Sequence, residues 1–402
     1  MSKHPASSIQ DLQFFGEFGG VNPSISDSST YTFLTAKSMH DTFEGSAEGC
    51  YLYSRHSSPS NLYLSSALAK MEATEDAAVF ASGMGAITST ILQICQQGDH
   101  IVASRTIYGG TYAFMKNVLP KYGVKVSFVN FTDCNAIRNA INGQTKMLYC
   151  ESMSNPLLEV PDFSSIAKIS KGHNTKFIVD NTFSPLVFQP AKFGADVIIH
   201  SLTKFINGSS DAVAGAVCSS SDFINALKDV NSGLAMLLGQ TLDSLRSASI
   251  LKNLRTLPVR MQQHSKNAMY LAKEFQKLGY KVSYPGLKSH PQHQLMKKHI
   301  TKDMGYGGIM SIDFGTVEKA NAVMEMMQHK NLGYLAVSLG FYKTLFSASG
   351  TSTSSEIPEN EQNEMGLSPG LVRFSIGLDY DIQKTLQEML NAIELVAEPQ
   401  RT

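Results

Sequence analysis

Between His200 and Val217 the chain reads HSLTKFINGSSDAVAGAV, with one lysine, Lys204, set between a strongly apolar run and a loop rich in Gly and Ser. Taking an ammonium group out of water is costly unless it is paired or neutralised. A lysine forced neutral, or tied up as a Schiff base, is a nucleophile for carbonyl groups.

Groups that suit such a lysine recur at the ends of apolar runs. Ser82-Gly83-Met84-Gly85 joins a β-like run to a helical pattern, where glycines let backbone N–H groups approach a phosphate at a helix amino terminus. Ser201 and Thr203 offer hydroxyls beside Lys204, and Asp180 closes the run FIVD with a carboxylate that needs a cation or donors. Asn155-Pro156 and Tyr108-Gly109-Gly110 add an amide and an aromatic ring. Singly these are turn formers and caps. Together they match pyridoxal phosphate (PLP), whose aldehyde needs a lysine, whose phosphate needs N–H and hydroxyl donors, and whose ring nitrogen needs an acid partner. Asp180 opposite a protonated ring nitrogen would favour both charged forms.

The elements that must position these groups alternate. AAVFAS (77–82), HIVASR, KVSFVN, KMLYCES, KFIVDN and DVIIHS read as strands separated by helical patterns. Their apolar content without strict alternation suits strands covered on both faces, hence a mostly parallel α/β sheet with helices on each side. The expected ligand edge is the carboxyl end of that sheet. From about residue 245, SLRSASILKNLRTLPVRMQQHSKNAMYLAKEFQKLG reads as one long connecting helix. It leads to an α+β unit with strands in GGIMSIDFG and GLVRFSIGL. The division expected is 1–57 as an amino-terminal arm, 58–245 as the PLP-binding domain and 246–402 as the smaller carboxy-terminal domain. The polar run SASGTSTSSEIPENEQNE (347–364) reads as a loop over a cleft or at the surface.

Composition narrows the function. Lys and Arg total 34 against 34 Asp and Glu, which argues against a nucleic-acid footprint and suits self-association. No apolar run reaches membrane-span length, and no signal peptide opens the chain, so a cytoplasmic enzyme is expected. Five scattered cysteines without a CxxC pair read as buried or inert thiols. His290 and His293 in SHPQH lack a third ligand at suitable spacing, so no metal is expected. The Met-rich AVMEMMQHK reads as the packed face of a helix.

The stretches YSRHSSPS, ASGMGAI, YGGT, ESMSNP, VDNTFSP, HSLTKF and SPGLVRFSIGLD, in that order, resemble the Cys/Met-metabolism family of PLP enzymes, over about residues 18–390. The resemblance implies the aspartate-aminotransferase-like fold type I and a homotetramer of two active dimers. It makes Lys204 the Schiff-base lysine, Asp180 the ring-nitrogen partner, Asn155 the partner of the ring's phenolic oxygen and Tyr108 the stacking ring. Gly83, Met84, Ser201 and Thr203 fall on the phosphate donors, and Tyr53 and Arg55 on a pair reaching the phosphate from the neighbouring subunit. Arg373 matches the arginine that grips the substrate carboxylate; from the residues alone, Arg373 and Arg55 read as surface arginines. Lys204 would take the Cα proton, and Tyr108 would serve as general acid for the Cγ leaving group.

Within the family, YLAVSLGFYKTL places Val337 before Ser338, where cystathionine-handling members carry Glu. An apolar residue there implies a sulfur amino acid with an uncharged tail, methionine above all. The implied reaction is γ-elimination of L-methionine to methanethiol, 2-oxobutanoate and ammonia. Cystathionine γ-lyase and O-acetylhomoserine sulfhydrylase are the alternatives within the family, and a non-catalytic PLP-binding scaffold is the alternative outside catalysis. Gly110 stands where many such lyases have Cys, and Ser347 to Thr351 replace the family's usual entrance loop. Ser58-Pro59-Ser60 and Ser209 are further departures, and together these leave side-chain specificity open.

Overall fold

A computed structural model describes residues 3–45, 47, 49–348, 362 and 365–397. The first sheet comprises β1 (Asp76–Phe80), β2 (His100–Ser104), β3 (Lys125–Val129), β4 (Thr145–Glu151), β5 (Lys176–Asp180), β6 (Val197–Ser201) and β7 (Gly215–Ser219). Their spatial order is β1-β7-β6-β5-β4-β2-β3. Strands β2 to β6 pair in parallel, whereas β7 runs antiparallel to both β6 and β1. Two reversals return β1 to the direction of β6, so its carboxyl end shares one edge with those of β4, β5 and β6.

Both faces of this sheet are covered. Val102, Leu148, Val179 and Ile198 enter one core cluster, and their neighbours Ile101, Met147, Ile178 and Ile199 enter another. Continuous apolar strands follow from that two-sided burial. The helix Gly83–Ile94 follows β1 after two intervening residues, the second of which, Ser82, is its cap, the Ser82 side chain accepting from Gly85 N–H, and packs on β6 and β7.

The second sheet holds β8 (Lys281–Ser283), β9 (Ile309–Asp313), β10 (Tyr334–Leu335), β11 (Leu345–Ala348) and β12 (Leu371–Ser375), in the order β10-β11-β12-β9-β8. Its core draws Leu271 and Phe275 against Met310, Ile312 and Phe374, with Met324 and Met327 of the Met-rich helix.

Two expectations need correction. The connecting segment is two helices, Ser244–Leu254 and Leu257–Lys277, broken where Pro258 enters the first turn of the second; a proline there lacks the N–H that a continuing helix would need. Ser347 and Ala348 belong to the buried strand β11, while most of the polar run after them, including Ser349, Gly350 and Thr351, lies outside the described residues. The arm contains two short helices, Pro5–Gln10 and Ala36–Phe43, and Ile9 joins the core of the large sheet. Among the cysteines, all of them free, Cys50 is exposed rather than buried.

Candidate active site

The carboxyl edge of the first sheet opens into a cleft of about 220 Å³. Gly83, Met84, Tyr108, Asn155, Asp180, Ser201, Thr203, Lys204, Val337 and Arg373 all line it. Glu151, Asp180 and Ser201 close β4, β5 and β6, so parallel strand direction alone collects them.

Lys204 follows β6 in a tight turn, Gly208 N–H donating to the Lys204 carbonyl at 2.8 Å. Its ammonium donates to Ser338 Oγ at 3.0 Å. Burial, reinforced by the nearby Arg373 guanidinium, pushes the amine down to about 8. At pH 7 about a tenth of it is then neutral, against well under a thousandth for an ordinary lysine. The turn is held from behind by Arg260, whose guanidinium donates to the Phe205, Ile206 and Asn253 carbonyls at 2.5, 2.9 and 3.0 Å.

Asp180 is buried, and burial raises its carboxyl above the ordinary range. Thr182 N–H, donating at 3.0 Å, and Tyr149 O–H, at 3.5 Å, work against that rise. Such a carboxylate stays ionised most readily opposite a cation, which a protonated ring nitrogen supplies.

Arg373 lies on β12 between Ser311 and Ser347 of the flanking strands and is only 3% exposed. It donates to Asn155 Oδ1 at 3.1 Å and to the Ser338 carbonyl at 3.3 Å, and stacks over Phe183 at 5.8 Å. Its Nε has no partner among the described residues, and a planar fork with a donor to spare suits a carboxylate. Because Asn155 Oδ1 accepts from Arg373, the amide turns its Nδ2 donors the other way.

The phosphate end fits as well. Ser82 Oγ takes the Gly85 N–H at 2.9 Å, while the first N–H groups of any helix lack intrahelical acceptors; those of Gly83 and Met84 open at the cleft. Space there is tight, since a Cβ on Gly83 would sit 2.8 Å from Ser201 Cβ, and one on Gly215 would sit 2.2 Å from the Ser82 carbonyl oxygen. Thr203 Oγ1 donates to the Ala214 carbonyl at 3.2 Å and accepts from Ala214 N–H at 3.0 Å. Its hydroxyl must turn away from Ala214 before it can donate to a phosphate.

Tyr53 and Arg55 are not brought into this cleft. Both are exposed, and Arg55 lies 5.3 Å from the ring of its own Tyr53. His290 and His293 serve packing: His293 Nδ1 bonds the Pro285 carbonyl at 2.9 Å, and its ring stacks on Tyr306. Residues the sequence reading passed over also line the cleft, namely Glu151, Thr182, Phe183, Met153, Val213 and Leu339. Glu151 was within reach of the argument that found Asp180, because it too is a carboxylate ending an apolar strand.

A two-layered sheet edge with a lysine, a buried aspartate and a glycine-framed helix amino terminus defines a fold type I PLP enzyme. The family model for Cys/Met metabolism PLP-dependent enzymes matches residues 8–394. The chain is 44% identical over 380 residues to a methionine γ-lyase of Arabidopsis thaliana, covering 93% of this chain and 86% of that one. It is 33% identical to an L-methionine γ-lyase of Pseudomonas putida, covering 94% of each. Among solved structures, a Campylobacter jejuni chain described as an O-acetylhomoserine (thiol)-lyase, carrying pyridoxyl-lysine monophosphate, superposes with a TM-score of 0.90 at 27% identity, covering 98% of this chain and 100% of that one. The chain belongs to the Cys/Met metabolism PLP-dependent enzymes. It is a methionine γ-lyase-like carbon–sulfur lyase with PLP as its cofactor. No helix among the described residues is long and apolar enough to cross a membrane.

Proposed function

We propose that the enzyme catalyses γ-elimination of L-methionine, consuming water and yielding methanethiol, 2-oxobutanoate and ammonia. The observation that carries this reading is the apolar part of the cleft lining. Val213, Val337 and Leu339 line the cleft, with Val337 at the position where a carboxylate would meet the distal amine of cystathionine. An apolar wall favours a thioether tail over a charged one. The 44% identity to a methionine γ-lyase points the same way.

In this reading Lys204 carries the cofactor, Asp180 faces the ring nitrogen, Asn155 donates to the ring's phenolic oxygen and Tyr108 covers the ring. Gly83, Met84, Ser201 and Thr203 hold the phosphate. PLP supplies an electron sink that stabilises negative charge at the substrate's α-carbon. Arg373 orients the substrate by its carboxylate. Lys204, already poised near neutrality, moves the Cα proton, and Ser338 steadies the amine between transfers. Tyr108, 46% exposed at the mouth, donates a proton to the departing sulfur.

The reading extends to assembly. A homotetramer of two active dimers, in which the 1–57 arm brings Tyr53 and Arg55 to the phosphate of the neighbouring subunit, accounts for their absence from their own cleft. Phe18, Val21 and Leu34 on that arm are almost fully exposed, which suits a covered surface. The 58–245 and 246–402 segments then form the two domains of each subunit.

The test is a panel of methionine, homocysteine, cystathionine and O-acetylhomoserine on purified holoenzyme, read by 2-oxobutanoate and thiol release. Methionine turnover supports the proposal. Rapid cleavage of cystathionine, or sulfide-dependent consumption of the homoserine ester, without methionine turnover overturns it.

A further inference from the structure

Glu151 has no part in the roles above, yet its side chain reaches the same cleft. It ends β4 in register with Asp180 at the end of β5, so two carboxylates stand side by side at buried strand ends. Each Glu151 oxygen has its own backbone donor: Tyr108 N–H donates to Oε1 at 2.6 Å and Asn155 N–H to Oε2 at 3.1 Å. Those donors sit on two separate loops, one after β2 and one after β4. Burial, then the Asp180 charge, push the Glu151 carboxyl well above the usual range, against the pull of the two amides. The core gains nothing from an acid here. What an acid alone provides is two acceptor oxygens in one rigid group.

We propose that Glu151 is a positioning residue whose two oxygens clamp the Tyr108 and Asn155 backbones, fixing the stacking ring and the cofactor-facing amide before PLP arrives. This rests on the assignment of Tyr108 and Asn155 to the cofactor made above. With each oxygen bonded to its own backbone N–H, turning the carboxylate would break both contacts, so the clamp is preset.

Glu151→Gln keeps the shape but turns an amide NH2 toward one of the two N–H groups. Losing one of the two buried hydrogen bonds is expected to weaken PLP binding to the apoenzyme about tenfold, measured by equilibrium dialysis. It is also expected to shift the visible absorbance maximum of the bound cofactor and to lower kcat with little change in KM. A Glu151→Gln enzyme with wild-type PLP affinity and spectrum overturns the clamp. Should that variant fail to fold, hydrogen exchange on the wild-type apoenzyme decides: slow exchange in peptides spanning 106–110 and 153–157 supports a preset clamp, and free-amide rates in both overturn it. Borohydride reduction of wild-type holoenzyme separates the two layers, because absence of a pyridoxyl group on Lys204 defeats the cofactor assignment while the exchange measurement still judges the clamp.

Discussion

Lys204 and Ser338, one on the turn after β6 and the other on the segment between β10 and β11, meet through a 3.0 Å hydrogen bond from the amine to the hydroxyl. Ser338 also offers its carbonyl to Arg373. The lysine, the serine and the arginine thus form one chain of contacts linking the two sheets.

The amine's depressed pKa sets a pH dependence. Lys204 is held down to about 8, by burial and then by Arg373, and only the neutral amine attacks an aldehyde. The rate at which apoenzyme takes up PLP should therefore rise with pH through about 8 and level off above it. Arg373→Gln removes a repelling charge and should move that midpoint upward. Stopped-flow absorbance measures both, and a wild-type midpoint near 10 contradicts the account.

Arg373→Gln should also raise KM for methionine by about tenfold to a hundredfold, the worth of a charged hydrogen-bonded pair at 1.5–3 kcal/mol, with a smaller effect on kcat. Arg373→Lys keeps the charge but loses the fork, and should restore only part of the affinity. Steady-state kinetics on methionine decide; an unchanged KM in both variants removes the carboxylate role.

Gly110 should matter through Tyr108. A Cβ at position 110 would lie 2.6 Å from Tyr108 Cε1 and 3.3 Å from Met84 Sδ. The ring, being half exposed, must swing. Gly110→Ala should leave the melting temperature within a few degrees while lowering kcat about tenfold or more, as expected when a catalytic group is displaced. Wild-type turnover in that variant would show that ring placement is not limiting.

Val337 is 66% exposed at the cleft mouth. Val337→Glu should raise kcat/KM for cystathionine relative to methionine, by about two- to fivefold for one new ion pair at a largely solvated site. Competition between the two substrates measures the ratio, and no change would detach specificity from this residue.

Beneath the sheet, Glu72 and His200 are fully enclosed and bonded at 2.7 Å, with Asn181 Nδ2 donating to the same Glu72 oxygen at 3.0 Å. Removing one partner of a buried hydrogen bond and leaving the other unsatisfied typically costs about 1–3 kcal/mol. Glu72→Ala should lose about 3 kcal/mol in urea unfolding, since it strips the partner from both His200 and Asn181, and Glu72→Gln less, since it can still accept from His200.

The site was legible where function coincides with strand ends. Asp180, Ser201 and Lys204 follow apolar runs that only a sheet explains, and Gly83 announces a close approach. Arg373 was not legible from its surroundings. In LVRFS it reads as the outward residue of an alternating strand, and only the packing of the two sheets turns that outward face into the cleft. Strands β7, β8, β10 and β11 escaped because β8 and β10 are only three and two residues long, while Gly, Ala and Ser dilute the apolar pattern of β7 and β11. Tyr53 and Arg55 resist any single-chain account, since nothing in their own cleft receives them.

Strand β1 has only β7 beside it in the sheet, Asp76 opposite Ser219 and Phe80 opposite Gly215. The loop after β1, assigned above to phosphate, therefore hangs from an element that finds its neighbour only when the last strand of the sheet has been synthesised. During translation β2 to β6 can pair side by side as they emerge, while β1 waits, apolar and unpartnered, for a distant segment. Truncation between the end of β6 at Ser201 and the start of β7 at Gly215 leaves a chain with most of its sheet, an unanchored β1 and an aggregation-prone edge.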